Sequence, residues 1–171
     1  LIYGPAGLRA QTPPTLAVMN FTNRSQNPEW QWLSKGLADM LITDLSRTHK
    51  LQVLERERMQ NFIEEMDLAD TALMDKNSAA RFGQIAKVEK ALFGSYLVKG
   101  TRVEIEAHII EIASQKVERV EWVHGSVEKV LDLEKDLASS IIKNLRISLT
   151  EDELLTLKYK PTDSIDAATH F

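Results

Sequence analysis

The spacing of apolar residues changes several times along this chain, and each change marks a new element. Leu16-Ala17-Val18-Met19 with Phe21 is a short apolar run bounded by Pro13-Pro14 and Asn20, which predicts a buried strand. Asn20 to Asn27 is polar and predicts a loop. Asn27-Pro28-Glu29 reads as a helix start, with a capping Asn, a Pro in the first turn and a carboxylate at the positive end of the dipole. Leu33, Leu37, Met40, Leu41 and Leu45 then recur at helical spacing to about Thr48. Gly36 lies inside this helix, where glycine costs stability relative to alanine, and a close approach to the sheet is the expected compensation. Leu51-Gln52-Val53-Leu54 predicts a second short strand. After the charges Glu55-Arg56-Glu57-Arg58, the residues Met59, Phe62, Ile63 and Met66 form the apolar face of a helix. Leu68 to Met74 reads as a connector. Ser78 to Lys87 follows as a short helix with Phe82, Ile85 and Ala86 inward and Asp75 or Asn77 as its cap.

The second half changes to a period of two. Ala91 to Val98 predicts a strand and Lys99-Gly100-Thr101 a tight hairpin turn. Arg102 to Ile109 alternates, with Val103, Ile105, Ala107 and Ile109 on one face and Arg102, Glu104, Glu106 and His108 on the other, as in a sheet with one buried and one polar face. Ile110 and Ile112 break the phase, which predicts a bulge or a covered strand end. Val117 to His124 returns as another strand, and Leu133, Leu137, Ile141 and Leu145 mark a long helix. The order is βαβα(α)βββα. The expected fold class is α/β (α+β), a mixed sheet of about five strands with helices mainly on one face. Thr150-x-x-Glu153 is a capping-box signature that opens a helix over Leu154, Leu155 and Leu157, and Ile165, Ala168 and Phe171 begin a further apolar pattern. Three segments are therefore expected. Residues 1–14 form a flexible tail or the remnant of an export signal, 15–149 a folded domain, and 150–171 a helical linker with the front of a further helical region.

Composition narrows the function classes. Among 171 residues the net charge is −4, and Lys and Arg are interleaved with Glu and Asp, which argues against a nucleic-acid partner. No uninterrupted apolar run is long enough to span a bilayer as a helix. The absence of cysteine excludes disulfides, thiolate metal sites and cysteine nucleophiles. HExxH, P-loop, GxGxxG and GxSxG patterns are missing. His49, His108, His124 and His170 are scattered. If the hairpin turns at Ser114-Gln115, His108 faces Glu121 and His124 faces Ile105, so the two do not meet as metal ligands. Glu104, Glu106, Glu118 and Glu121 alternate with apolar neighbours, the mark of a solvated sheet face rather than an acid–base pair. No catalytic residue, cofactor or metal is expected. Trp30 and Trp32 point about 200° apart on one helix. One is expected in the core, and the other covers a loop or anchors a protein interface.

In order, LAVMNF, GLADMLITDLSRT, LQVLERERMQNFIEEM and ALFGSYLVKGTRVEIEAHIIEIASQKV resemble the curli-secretion-channel (CsgG) and TolB amino-terminal-like domain families. The resemblance covers Thr15 to about Leu149. Its most specific signals are the Leu-Glu-Arg strand exit running into Met59-Gln60-Asn61-Phe62 and the Gly94-Ser95 strand. It implies an anticodon-binding-like arrangement and a non-enzymatic scaffold of the bacterial envelope, serving secretion or surface assembly through protein partners, with self-association as a further option. It also implies a periplasmic location, with outer-membrane association through an upstream anchor. The runner-up is an accessory or activator lipoprotein-type component of another periplasmic machine, such as a cell-wall synthase or a flagellum. The secretion channels insert long membrane hairpins where this chain has only Lys99-Gly100-Thr101, so a pore is not expected. The tail from Leu149 onward resembles the junction in relatives that continue into tetratricopeptide-like repeats.

Overall fold

Six strands build one open mixed sheet in the computed structural model, which describes residues 12–65 and 76–160. The elements are β1 (Thr15–Val18), β2 (Thr22–Asn23), α1 (Trp32–Ser46), β3 (Gln52–Val53), α2 (Arg56–Glu65), α3 (Lys76–Ala86), β4 (Lys90–Lys99), β5 (Arg102–Glu111), β6 (Val117–Ser126), α4 (Val130–Asn144) and α5 (Glu151–Lys158). The strand order is β3-β1-β4-β5-β6, with β2 also beside β4. β1 runs parallel to β3 and β4, while β4, β5 and β6 form an antiparallel meander. The expected connector at Leu68 to Met74, Met66, the Asp75 cap and the pattern at Ile165, Ala168 and Phe171 lie outside the described residues.

The expected loop from Asn20 to Asn27 is in part a strand. Phe21 is fully buried, and Thr22 and Asn23 pair with Ser95 and Tyr96. β4 is ten residues long while β1 covers only Lys90 to Leu92, so a free ladder remains for the chain to rejoin. Arg24 N donates to Tyr96 O at 2.8 Å to extend it. Gly94, opposite Ala107, leaves the space in which the Phe21 ring sits.

Helices cover both faces unequally. α1, α4 and α5 pack on the face formed by Leu16, Val18, Leu92, Tyr96, Val103, Ile105, Ala107 and Ile109. The β5 alternation is thus as expected, with Val103 through Ile109 inward. α2 and α3 cover one end of the opposite face, where Ala17, Met19, Ala91, Ile110 and Ile112 meet Met59, Ile63 and Phe82. The phase break at Ile110 and Ile112 therefore marks a covered strand end. A bulge also exists, but on β6 rather than β5. The register shifts between Ala107 and His108, leaving Val120 without a partner on β5.

Local signals explain several element ends. Gly100 takes φ +59° in the turn between β4 and β5, a conformation that L side chains rarely adopt. Asn27 caps as expected, its Oδ1 accepting from Glu29 N at 3.0 Å, but it opens a 3-10 turn over Pro28–Trp30 before α1 begins. Gly36 faces the Trp32 ring rather than the sheet, the atom an added Cβ would meet first being 3.4 Å away. The Thr150–Glu153 capping box forms in both directions at the start of α5. α5 docks through Leu157, which is buried against the first core.

Candidate interaction surface

Beyond the cover of α2 and α3, no described helix lies over the second face of β4, β5 and β6. By alternation and register this face carries Phe93, Ser95 and Leu97 from β4, Arg102, Glu104, Glu106 and His108 from β5, and Arg119, Trp122 and His124 from β6. Its side chains are ordered into pairs. Phe93 stacks on His108 with ring centroids 5.5 Å apart. Trp122 leans on His124 at 4.8 Å. Glu106 Oε1 is held between His108 Nε2 at 3.4 Å and Arg119 Nη2 at 3.3 Å. Arg102 reaches both His124 Nδ1 at 2.9 Å and Glu104 Oε1 at 3.6 Å. Trp122 remains 45% exposed, the one exposed large hydrophobic side chain among the described strand residues.

Two changes correct the expected hairpin register: the hairpin centres between Ala113 and Ser114, and the bulge moves the half beyond it by one residue. His108 pairs with Arg119 rather than Glu121, and His124 with Glu104 rather than Ile105. Both histidines therefore share the uncovered face, each against its own aromatic ring. Glu121 falls on the opposite face and accepts from Ser140 Oγ of α4 at 3.0 Å. Among the described residues, no group of three or more His, Asp or Glu side chains has metal-holding geometry. What the uncovered face offers is flat aromatic area beside fixed charges of both signs, the composition of a protein-docking surface.

Trp30 and Trp32 sit elsewhere, at the start of α1, and both pack half-buried against the first core. The Trp30 carbonyl accepts from the buried Tyr96 hydroxyl at 2.7 Å. Burial pushes the Tyr96 hydroxyl pKa up to about 12, against the opposing effect of a Ser34 backbone hydrogen bond. Tyr96→Phe is expected to destabilise the domain by about 1 kcal/mol, read from its urea midpoint, because the Trp30 carbonyl loses its donor. Glu55-Arg56-Glu57-Arg58 is a junction rather than a reactive cluster. Arg56 Nε donates to Asp39 Oδ1 at 2.7 Å and Nη1 to Asn20 Oδ1 at 2.8 Å, tying the start of α2 to α1 and to the exit of β1. Trp122 is the side chain that sequence reasoning missed. Its signal was the outward position between Glu121 and Val123, readable only once the strand's faces are assigned.

Residues 6–107 match the family described as curli production assembly/transport component CsgG. The chain belongs to this family. Among solved structures, this CsgG-family domain is similar to the lipoprotein GNA1162 from Neisseria meningitidis, at TM-score 0.56 and 16% identity, covering 81% of this chain and 100% of that one. It is also similar to the LpoB C-terminal domain from Salmonella enterica, at TM-score 0.53 and 13% identity, covering 70% of this chain and 85% of that one. At such identities the likeness is one of fold. A curated relative named putative adenylate cyclase 3, from Rhizobium meliloti (strain 1021), is 25% identical over 155 residues, 87% of this chain. The CsgG-family chain spans about a quarter of that relative's length.

Proposed function

We propose that this CsgG-family domain is a non-enzymatic protein-binding scaffold of the bacterial envelope, periplasmic or outer-membrane-associated, and that the uncovered face of β4, β5 and β6 receives its partner. Family membership supports the envelope setting. The observation that carries the surface is Trp122, exposed on the edge strand β6 beside His124, on a face where Phe93, His108, Glu106 and Arg119 are held by mutual contacts. A preordered aromatic anchor loses little side-chain entropy on binding. The scaffold is proposed without a pore of its own, because only Gly100-Thr101 joins β4 to β5, too short a connection for a membrane hairpin. Trp30 and Trp32 form a secondary contact at the start of α1.

The test is a photo-crosslinking side chain placed at position 122 in the cell, compared with one at Thr43 on the exposed side of α1. Adducts are expected from position 122 and absent from 43. Trp122→Ala is expected to weaken capture of the partner so identified by about tenfold to a hundredfold, while shifting stability by no more than about 0.5 kcal/mol. Equal adducts from both positions, or undiminished capture by Trp122→Ala, would remove this surface from consideration.

The second reading is an accessory or activator module within a larger assembly. It rests on the relative named as a cyclase, four times longer than the matched region, and on α5, where Leu155 and Tyr159 stand 66% and 61% exposed next to the continuing chain. Adducts joining position 122 to another domain of the same polypeptide favour this reading, whereas adducts to a separate envelope protein favour the first.

A further inference from the structure

The helical pair α2–α3 leaves a cleft where α2 begins and α3 finishes, beside the outer edge of β3. The cleft has a volume of about 550 Å³. Its lining combines the apolar Leu54, Phe62, Ile85 and Val88 with Arg58, Lys87 and the carboxylate of Glu55, and Glu89 Oε2 accepts from the lining Thr15 N at 3.3 Å. Neither Arg58 nor Lys87 has a hydrogen-bond or ion-pair partner among the described residues. The amino end of α2 and the carboxyl end of α3 meet at this place, so their end charges oppose each other.

The strand edge supplies the second observation. β3 is the last strand of the sheet on this side. Gln52 N donates to Pro14 O at 2.9 Å and Leu54 N to Leu16 O at 2.8 Å. In a parallel ladder, alternate residues bond to the same neighbour, so the Val53 peptide N–H and C=O are directed away from β1, and Val53 lines the cleft. An outward-facing strand edge, apolar lining residues and unpaired cations are the three parts of a site that takes an extended chain by strand addition.

We propose that this cleft binds an extended segment of a partner protein whose cleft-facing positions, every second residue, carry both apolar and acidic side chains. The segment pairs with the outer edge of β3 through the Val53 peptide groups, lays apolar side chains on Phe62 and Ile85, and brings a carboxylate to Arg58 and Lys87. Charge selects this occupant over the chain's own residues 1–11, which carry Arg9 and no carboxylate. The site is separate from the uncovered sheet face and does not depend on it.

The probe is a fluorescein-labelled peptide of about seven residues with threonine at every second position and valine, glutamate and valine between them. It is compared by anisotropy with the version carrying lysine in place of glutamate and with a copy N-methylated at alternate peptide groups, all titrated into the full chain. The acidic peptide is expected to bind at least about tenfold more tightly than either comparator and to weaken as salt is raised toward about 0.5 M. The double variant Arg58→Gln with Lys87→Gln, both exposed positions, is expected to abolish the charge preference while leaving the unfolding midpoint in place. Trp122→Ala is expected to leave the peptide affinity unchanged, so failure here is distinct from failure of the sheet-face reading. Equal binding of all three peptides, or an unaltered preference in the double variant, overturns the proposal. So does tight binding of the N-methylated copy, which would reduce the cleft to an anion patch. Binding of the acidic peptide only after residues 1–11 are deleted overturns it as well, since the chain would then fill its own cleft.

Discussion

Replacing Gly94 with alanine is expected to destabilise the domain by about 3 kcal/mol, because overpacking of a filled core at a point where backbone must move lies at the upper end of such costs. An added Cβ at Gly94 would fall deep inside van der Waals contact with the carbonyl oxygen of Glu106, and at 2.6 and 2.9 Å from two carbons of the Phe21 ring. The carbonyl belongs to β5 at the centre of the meander, held by pairing on both sides. Phe21 is fully buried and has no room to retreat. Urea unfolding measures the loss. Gly83→Ala is the control: its added Cβ would strike Cδ1 and Cγ1 of Ile112, a side chain rather than a strand backbone, and the expected cost is smaller. If Gly94→Ala were as stable as the parent chain, Phe21 would not be seated over β4, and the break between β1 and β2 would need a different cause.

The same residue shows where sequence reasoning reached and where it stopped. A glycine inside a strand such as Gly94 signals that something approaches closely, but not what, since Phe21 lies far away in the chain at the end of the first apolar run. β5 was legible almost residue by residue because one of its faces is core and the other wet, so its period of two is undiluted. The turn at Gly100 and the capping box at Thr150 were legible because each is fixed by its own few residues. The bulge at Val120 was not, because a bulge is a property of pairing between two strands rather than of either strand's own pattern. Once that bulge was missed, the faces of Glu121, Trp122 and His124 could not be assigned, and the exposed Trp122 went unnoticed while Trp30 and Trp32 drew attention for their spacing. The family itself was carried by the order of several weak motifs, none of which is specific alone.

One signal was present and unread: Glu134 lies on the same helical stripe as Ala138, Ile141 and Leu145, which places a carboxylate in the apolar face of α4. It is 1% exposed and meets Asp44 of α1, itself 3% exposed. Lys135 bonds Asp44 and lies 3.7 Å from Glu134, and Arg47 stands 3.6 Å from Asp44, while Glu134 Oε1 has no hydrogen-bond partner. Burial first, and the neighbouring Asp44 charge second, hold the Glu134 pKa well above its usual 4.5, with Lys135 opposing them. The native state therefore binds a proton that the unfolded chain releases between 4.5 and that raised value. The stabilisation is complete below 4.5 and is lost as pH rises through the folded pKa. Surface carboxylates act in the other direction. Glu111, Glu118 and Glu153 have lowered pKa values, owing first to hydrogen bonds from Ser114, Lys116 and the Thr150 backbone respectively, so their contributions are lost as pH falls below 4.5. Glu134→Gln keeps a donor for Asp44 and removes the charge that must be buried. It is expected to stabilise the domain by about 1–2 kcal/mol near pH 8, a few degrees in Tm, and to be nearly neutral near pH 4. Thermal unfolding across that range decides it. A variant whose Tm runs parallel to the parent's at every pH would mean that Glu134 is ionised throughout and that the contact between α1 and α4 carries no proton.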